Sequence, residues 1–207
     1  ITYDYNNSDQ LVTEASSSDG TTSYEYDVTG AMVSKTKGLE RSTFEYDYDN
    51  RMAKAQIKRY ENDKFVEANV EYAYNQNGTR VRTRNAYSVD GTSAGDDEHH
   101  QLVDEANFTG YSQVFEEYKD GALSTSYVIG DDVLSQNKGG IDSHLLYDGH
   151  GSTRLITGND GAVQERYSFD AYGMMLGGNG GLTNGTSTKL LYSGEMYDNA
   201  LQMQYLM

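Results

Sequence analysis

The chain has no cysteine, no proline and no tryptophan among its 207 residues. Without cysteine, disulfides, thiolate nucleophiles and cysteine-ligated zinc are excluded, and the absence suits a bacterial cytoplasm or exterior alike. Basic residues are scarce, 16 Lys and Arg against 32 Asp and Glu, for a formal net charge of −16. A polyanion of that sign is repelled by nucleic-acid backbones and anionic membranes, so neither is expected as a partner, and the acidity serves solubility. No apolar run approaches the roughly 18–20 residues needed to span a bilayer. No segment reads as a signal peptide. Hydrophobic residues reach only 36%, below the usual globular share. The lack of proline is unusual for a loop-rich chain, and composition offers no physical reason for it. The sequence opens at Ile1 inside a strand-like pattern, as expected of a fragment whose native N-terminus lies elsewhere.

What the chain does have is tyrosine, 19 of them, and 22 glycines. Aromatic rather than aliphatic side chains must therefore supply much of the buried area. A tyrosine does this only where its hydroxyl finds a partner or water, which suits broad sheets with tight turns.

Short blocks recur along the chain: Tyr24-Glu25-Tyr26-Asp27, Phe44-Glu45-Tyr46-Asp47-Tyr48-Asp49 and Tyr72-Ala73-Tyr74-Asn75. Further copies of the pair stand at Tyr3-Asp4, Tyr147-Asp148 and Tyr197-Asp198, with a variant at Phe169-Asp170. The spacing is 23 residues from Tyr3 to Tyr26, 22 from Tyr26 to Tyr48 and 22 from Tyr147 to Phe169. That period is too short for a helical solenoid repeat and fits two strands and two turns. In Phe44–Asp49 the aromatics take one face and the acids the other, the period of two expected of a strand. Val70–Tyr74 and Tyr111–Phe115 read similarly. Thr29-Gly30, Asp49-Asn50, Asn77-Gly78, Asp120-Gly121 and Asp160-Gly161 supply two-residue hairpin loops. No useful length shows helical period. The fold class is all-β: repeated antiparallel β-hairpins that pair edge to edge into a continuous coiled sheet, since a lone hairpin is marginal in water. Its end strands are open edges.

Tyr24, Tyr26, Asp27 and Gly30, with Tyr46-Asp47-Tyr48-Asp49-Asn50-Arg51, resemble the YxYDxxGR/NR pattern of Rhs/YD repeats, and Tyr72 and Tyr74 continue it. Tyr147-Asp148-Gly149-His150-Gly151-Ser152-Thr153-Arg154-Leu155 is similar to the YDGLGSVRxL element of the Rhs-associated core. Tyr167-Ser168-Phe169-Asp170-Ala171-Tyr172-Gly173 resembles YxYDAFG, and Tyr192-Ser193-Gly194-Glu195-Met196-Tyr197-Asp198 resembles YTGExYD. Upstream, Leu102-Val103-Asp104 and Asn107 to Val114 resemble a segment that often precedes that core, with Phe108 where the pattern has Pro. Four elements stand in the family's order.

The resemblance implies a fold and a role. Rhs proteins, toxin-complex C components, wall-associated proteins and teneurins wind YD hairpins into a hollow shell or barrel, which in bacterial members encloses a C-terminal effector. It implies YD hairpins over 1–88, an acidic loop over 89–100 and the Rhs-associated core over 101–207. Leu201 to Met207 looks like the start of the family's GLYYLRARYYDP stretch. The self-cleavage motif that follows there has no counterpart, so autoproteolysis transfers to no residue. Asp198-Asn199 and Ala200 also replace the family's Asp-Pro and Gly.

Asp96-Asp97-Glu98-His99-His100 carries metal-ligating types, but adjacent residues rarely converge on one ion, and a solvated loop is expected. His150 stands beside Ser152 without a third group to orient a base, so a structural turn is expected. Gly177 to Gly181 precedes no helix and lacks the context of a phosphate cradle, so a loop is expected. The sequons at Asn6, Asn77, Asn107 and Asn184 are incidental in a bacterial protein. Repeating Tyr and Phe rings could stack on sugars, but their even distribution favours packing between strands. No catalytic, metal or cofactor site is therefore expected. The expected role is a scaffold, secreted or at the bacterial surface, whose partners are the rest of its shell and an enclosed effector. The alternative is an extracellular adhesion module binding glycans or proteins. A hydrolase finds no constellation.

Overall fold

The computed structural model describes residues 1–107, 110–177 and 186–205. The chain divides into two compact units, Ile1–Glu98 and His99–Met207. The first holds β1 (Thr2–Tyr5), β2 (Leu11–Ser16), β3 (Gly20–Tyr26), β4 (Met32–Lys37), β5 (Glu40–Tyr46), β6 (Met52–Glu61), β7 (Lys64–Tyr74), β8 (Arg80–Val89) and the start of β9 (Thr92–Asp104). The second holds the rest of β9, then β10 (Gln113–Lys119), β11 (Ala122–Ile129), β12 (Val133–Lys138), β13 (Ile141–Tyr147), β14 (Thr153–Thr157) and β15 (Val163–Arg166). Strands β1 to β15 follow one another in sheet order as they do in sequence, in an antiparallel sheet. Two small sheets follow, β16 (Ser168–Phe169) with β17 (Met175–Gly177) and β18 (Met196–Asp198) with β19 (Met203–Tyr205).

Two kinds of turn join the hairpins. Asn62-Asp63 and Asp120-Gly121 are two-residue loops with both residues left-handed, which matches the twist of the strands they join. Of the five loops read as two-residue turns, Asp120-Gly121 is one. Thr29-Gly30, Asp49-Asn50, Asn77-Gly78 and Asp160-Gly161 lie instead in five-residue loops, between the pairs Tyr26↔Met32, Tyr46↔Met52, Tyr74↔Arg80 and Thr157↔Val163. In the first three the reason is Asp27, Asp47 or Asn75 at the head of the loop, whose side chain folds the chain over a wider turn; in the fourth Gly158 stands there and Asp160 accepts from the Ala162 amide at 2.9 Å.

In the first unit the pleat separates two chemistries. Ala55 opposes Val70 and Ile57 opposes Ala68, and these four are buried with Phe44 and Tyr72 on one face. Between them on the other face, Lys58 pairs with Glu67 at 2.9 Å and Lys54 with Glu71 at 3.5 Å. Exposed pairs of this kind contribute only about 0–1 kcal/mol each. Their larger effect is on register, because a one-residue slip would bury every charge and expose every alanine and valine.

The segment 89–100 is a correction to the sequence reading. Only Asp90-Gly91 form a turn; from Thr92 the chain is β9. Asp96 accepts from Arg84 at 3.0 and 2.7 Å, and Glu98 accepts from Arg82 at 2.9 and 3.2 Å. The alternate acids are thus held in a strand by two forked guanidinium bonds rather than spread in a solvated loop. Tyr111, read as part of a strand, precedes β10 and is exposed.

The second unit has a core of Val114, Tyr127, Leu145, Ile156, Tyr167, Leu190, Leu191 and Met196. Three of these eight come from the terminal segment 186–205, which packs over one face of the strands. Each such aliphatic side chain contributes about 1.5–3 kcal/mol on burial.

Candidate functional site

The recurring site is the joint between successive hairpins, and it begins with the acid of the tyrosine–aspartate pair. Asp27 Oδ1 accepts from the amides of Thr29 and Ala31, at 2.8 and 3.0 Å. Asp47 does the same for Asp49 and Arg51, Asp148 for His150 and Ser152, and Asp170 for Tyr172 and Met174, all within 2.8–3.1 Å. Asn75 and Asn6 make the same bonds with an amide oxygen. The fourth loop residue is left-handed in each case: Asp9, Gly30, Asn50, Gly78, Gly151 and Gly173. The acid is therefore a turn-forming acceptor. Its carboxyl is held below the usual carboxylate range, by the Thr29 hydroxyl at Asp27, by the Arg51 guanidinium at Asp47 and by the His150 amide at Asp148. Arg154 adds a longer ion pair to Asp148 at 3.7 Å.

The tyrosine completes the joint. Tyr26, Tyr46, Tyr74 and Tyr147 donate their hydroxyls to the carbonyls of Leu11, Met32, Met52 and Val133, at 2.8–2.9 Å. Each acceptor is the first residue of the strand that opens the same hairpin, which the tyrosine closes. The backbone ladders there stop two residues short, at Thr13↔Ser23, Ser34↔Thr43, Lys54↔Glu71 and Ser135↔His144. The tyrosine side chain thus bridges the two strands at the open end of the hairpin, where their backbones no longer do. A bulge precedes each of these tyrosines, with Val33, Ala53, Val81 and Arg154 as the extra residues opposite. Bulges strengthen the twist and re-aim side chains, and here they coincide with the lateral reach of the ring. Burial raises the hydroxyls of Tyr46 and Tyr147, so both stay protonated donors.

This geometry re-phases the repeat. The joint pairs are Tyr5-Asn6 and Tyr46-Asp47, not Tyr3-Asp4 and Tyr48-Asp49. Tyr3 and Asp4 lie within β1, where Asp4 accepts from Thr13 at 2.9 Å. Tyr48 is an exposed loop tip. Tyr24 donates to Glu14 at 3.1 Å, and burial with that neighbour raises it to about 12. Tyr72 is buried beneath the Arg80 guanidinium, 4.9 Å from the ring centre. Tyr5 sits in the joint position on β1 and makes no hydrogen bond through its hydroxyl to any described residue.

The three C-terminal motifs meet at Tyr192. Its hydroxyl donates to the Ala171 carbonyl at 3.1 Å, and the rings of Phe169 and His150 stand 5.6 and 5.4 Å from it. Gly173, at φ +83°, lies so close that a Cβ would fall 2.7 Å from the Tyr192 ring. Gly194 approaches the Gly151 carbonyl, and the Ser193 amide donates to Ser152 Oγ at 3.0 Å. Gly149 sits in the loop tip with open space around it. Glu195 accepts the Leu191 amide through its carbonyl at 3.0 Å. Asp198 repeats the turn role toward Ala200 and Leu201, and the Tyr197 amide donates to Lys189. Tyr167 is buried and donates to Glu165. The glycine run 178–181, the sequon at Asn184 and Phe108 lie outside the described residues.

One cluster had no signal in the sequence. Glu117, 2% exposed, accepts from Tyr127 at 2.5 Å and pairs with Lys189, 72 residues away. Alternation from buried Val114 would turn Glu116 inward. A bulge between Val114 and Glu116 shifts the phase and turns Glu117 inward instead.

Paired hairpins, turn-forming acids and tyrosine bridges together define an Rhs-like YD-repeat fold. No family model matches the chain, and no curated protein matches it. Among solved structures it resembles the TcdB2-TccC3 crystal structure, with TM-score 0.52 and 14% identity over 89% of this chain. It resembles TcdB2-TccC3-TEV (TM-score 0.52, 15% identity, 89% of this chain) and TcdB2-TccC3-Cdc42 (0.50, 12%, 86%) in the same way. These are toxin-complex structures carrying Rhs/YD repeats, and the likeness is one of fold. The match covers 8% of each of those chains.

Proposed function

We propose that this chain is a wall segment of an Rhs/YD-repeat shell, a non-catalytic scaffold that encloses or displays a C-terminal effector of a bacterial polymorphic toxin or cell-surface protein. The observation that carries the reading is the tyrosine–carbonyl bridge. It fastens the open end of each hairpin beside the turn that leads to the next, so every repeat ends in the same joint and the next hairpin starts in register. Tyr5 supports the same reading, because it presents the donor half of a joint on the edge strand β1. In this reading the remainder of the same shell supplies the acceptor carbonyl, and the protein works outside the cell or at its surface. Its mechanism is steric: a sheet that separates a cargo from its surroundings.

Protease protection in the full-length gene product tests this. The segment downstream of the repeats should resist a protease in the native protein and be cut once the sheet is unfolded by denaturant. Equal cleavage in both states would overturn enclosure. Binding of the folded protein to a glycan array, without protection, would make it an adhesion module instead.

A further inference from the structure

The terminal segment 186–205 lies across strands that are far from it in sequence. Gln136 Nε2 and Lys138 Nζ of β12 each donate to the Ser187 carbonyl at 3.0 Å. Thr153 of β14 donates its hydroxyl to Leu190 at 2.7 Å and its amide to Leu191 at 2.9 Å. Gln101 of β9 reaches Met196 Sδ at 3.1 Å. Among these contacts one is charged and buried, that of Glu117 on β10 with Lys189. The face beneath the segment mixes the apolar core residues Val114, Tyr127, Leu145 and Ile156 with buried polar ones, among them Glu117, Gln136 and Thr153. The segment adds no strand to the large sheet, since β18 and β19 form a separate two-stranded sheet, so the ladders of β10 to β14 do not run through it.

We propose that residues 186–205 form a detachable strap, latched to the sheet by the Glu117–Lys189 pair and able to undock while β10 to β14 stay folded. The two partners are not equivalent. The Lys189 side chain is 31% exposed and can turn to water, whereas that of Glu117 is 2% exposed and cannot. The carboxylate depends on the lysine more than the lysine depends on it. Burial pushes the Glu117 carboxyl up, but Lys189, with the Tyr127 hydroxyl and the nearby His99, outweighs burial and holds it below the usual range. The groups facing Glu117 are thus Lys189, Tyr127 and His99. Lys189→Met removes the main one and leaves a buried carboxylate that is tolerated only when protonated.

Hydrogen exchange of the intact chain, read by mass spectrometry over 186–205 and over β12 and β13, tests the strap. Glu117→Gln should speed strap exchange about tenfold, and Lys189→Met on the order of a hundredfold, with β12 and β13 unchanged in both. After correction for intrinsic exchange, the strap of the natural chain should loosen as pH falls below the ordinary glutamate range. In Lys189→Met it should tighten on acidification, because protonation removes the unpaired charge. Repeating both in a His99→Asn background assigns the effect to Glu117. Equal acceleration in strap and strands, failure of Glu117→Gln to fold, or the same pH trend in both chains would each overturn the proposal.

Discussion

The Tyr46 hydroxyl donates a 2.8 Å hydrogen bond to the Met32 carbonyl, two residues beyond the point where the β4–β5 ladder ends at Ser34↔Thr43. A side chain there does the work of a missing rung. Tyr46→Phe keeps the ring and removes the donor, leaving Met32 without it. Urea unfolding should show a loss of about 1 kcal/mol. Tyr5→Phe, where no described acceptor exists, should change stability by less than about 0.5 kcal/mol. Equal losses at both positions would sink the bridging role.

Asp27 and Asn75 form the same loop, one with a carboxylate and one with an amide oxygen. Asp27→Asn should therefore unfold at nearly the wild-type temperature. Asp27→Ala should lose about 1 kcal/mol, through the amides of Thr29 and Ala31. If Asn is as harmful as Ala, the charge matters and the acceptor geometry does not.

The carboxyls of Asp27, Asp47 and Asp148 are all held low by the bonds they accept. A group whose folded value lies below its unfolded one stabilises the fold above the unfolded value, about 3.9 for Asp. That contribution disappears as pH falls through the folded value. Carboxyl-carbon titrations by NMR should place these three midpoints lower in the folded chain than in the same chain in urea. Coincident midpoints would contradict the turn role.

Gly173 and Gly121 share a left-handed backbone, φ +83° and +80°. A Cβ at Gly121 meets nothing within 4 Å, while one at Gly173 meets the Tyr192 ring at 2.7 Å. Gly121→Ala should cost only the conformational penalty, about 1 kcal/mol. Gly173→Ala should cost more, by about 1–3 kcal/mol of overpacking, and should shift the Tyr192 ring resonances. Equal melting temperatures for the two variants would refute the contact.

The all-β class, the hairpin repeat and the loop positions were legible because each depends on neighbours in the chain. Period-two alternation needs only the residues of one strand, as in Phe44-Glu45-Tyr46, and an Asp turn needs only the four residues after it. The tyrosine–aspartate motif was visible for the same reason. Its phase was not: Tyr46-Asp47 and Tyr48-Asp49 look alike locally, and only the ladder Tyr46↔Met52 decides which pair turns the chain. The bridging partners are backbone carbonyls, which every residue carries, so no side chain marks Leu11, Met32, Met52 or Val133 in advance. Glu117 became a buried partner through a one-residue bulge that reverses the faces after Val114. Lys189, 72 residues away, reaches it only once the terminal segment crosses the strands. Local alternation and turn chemistry are written in the order of residues, whereas bulge phase and long-range polar pairing arise when strands find their register.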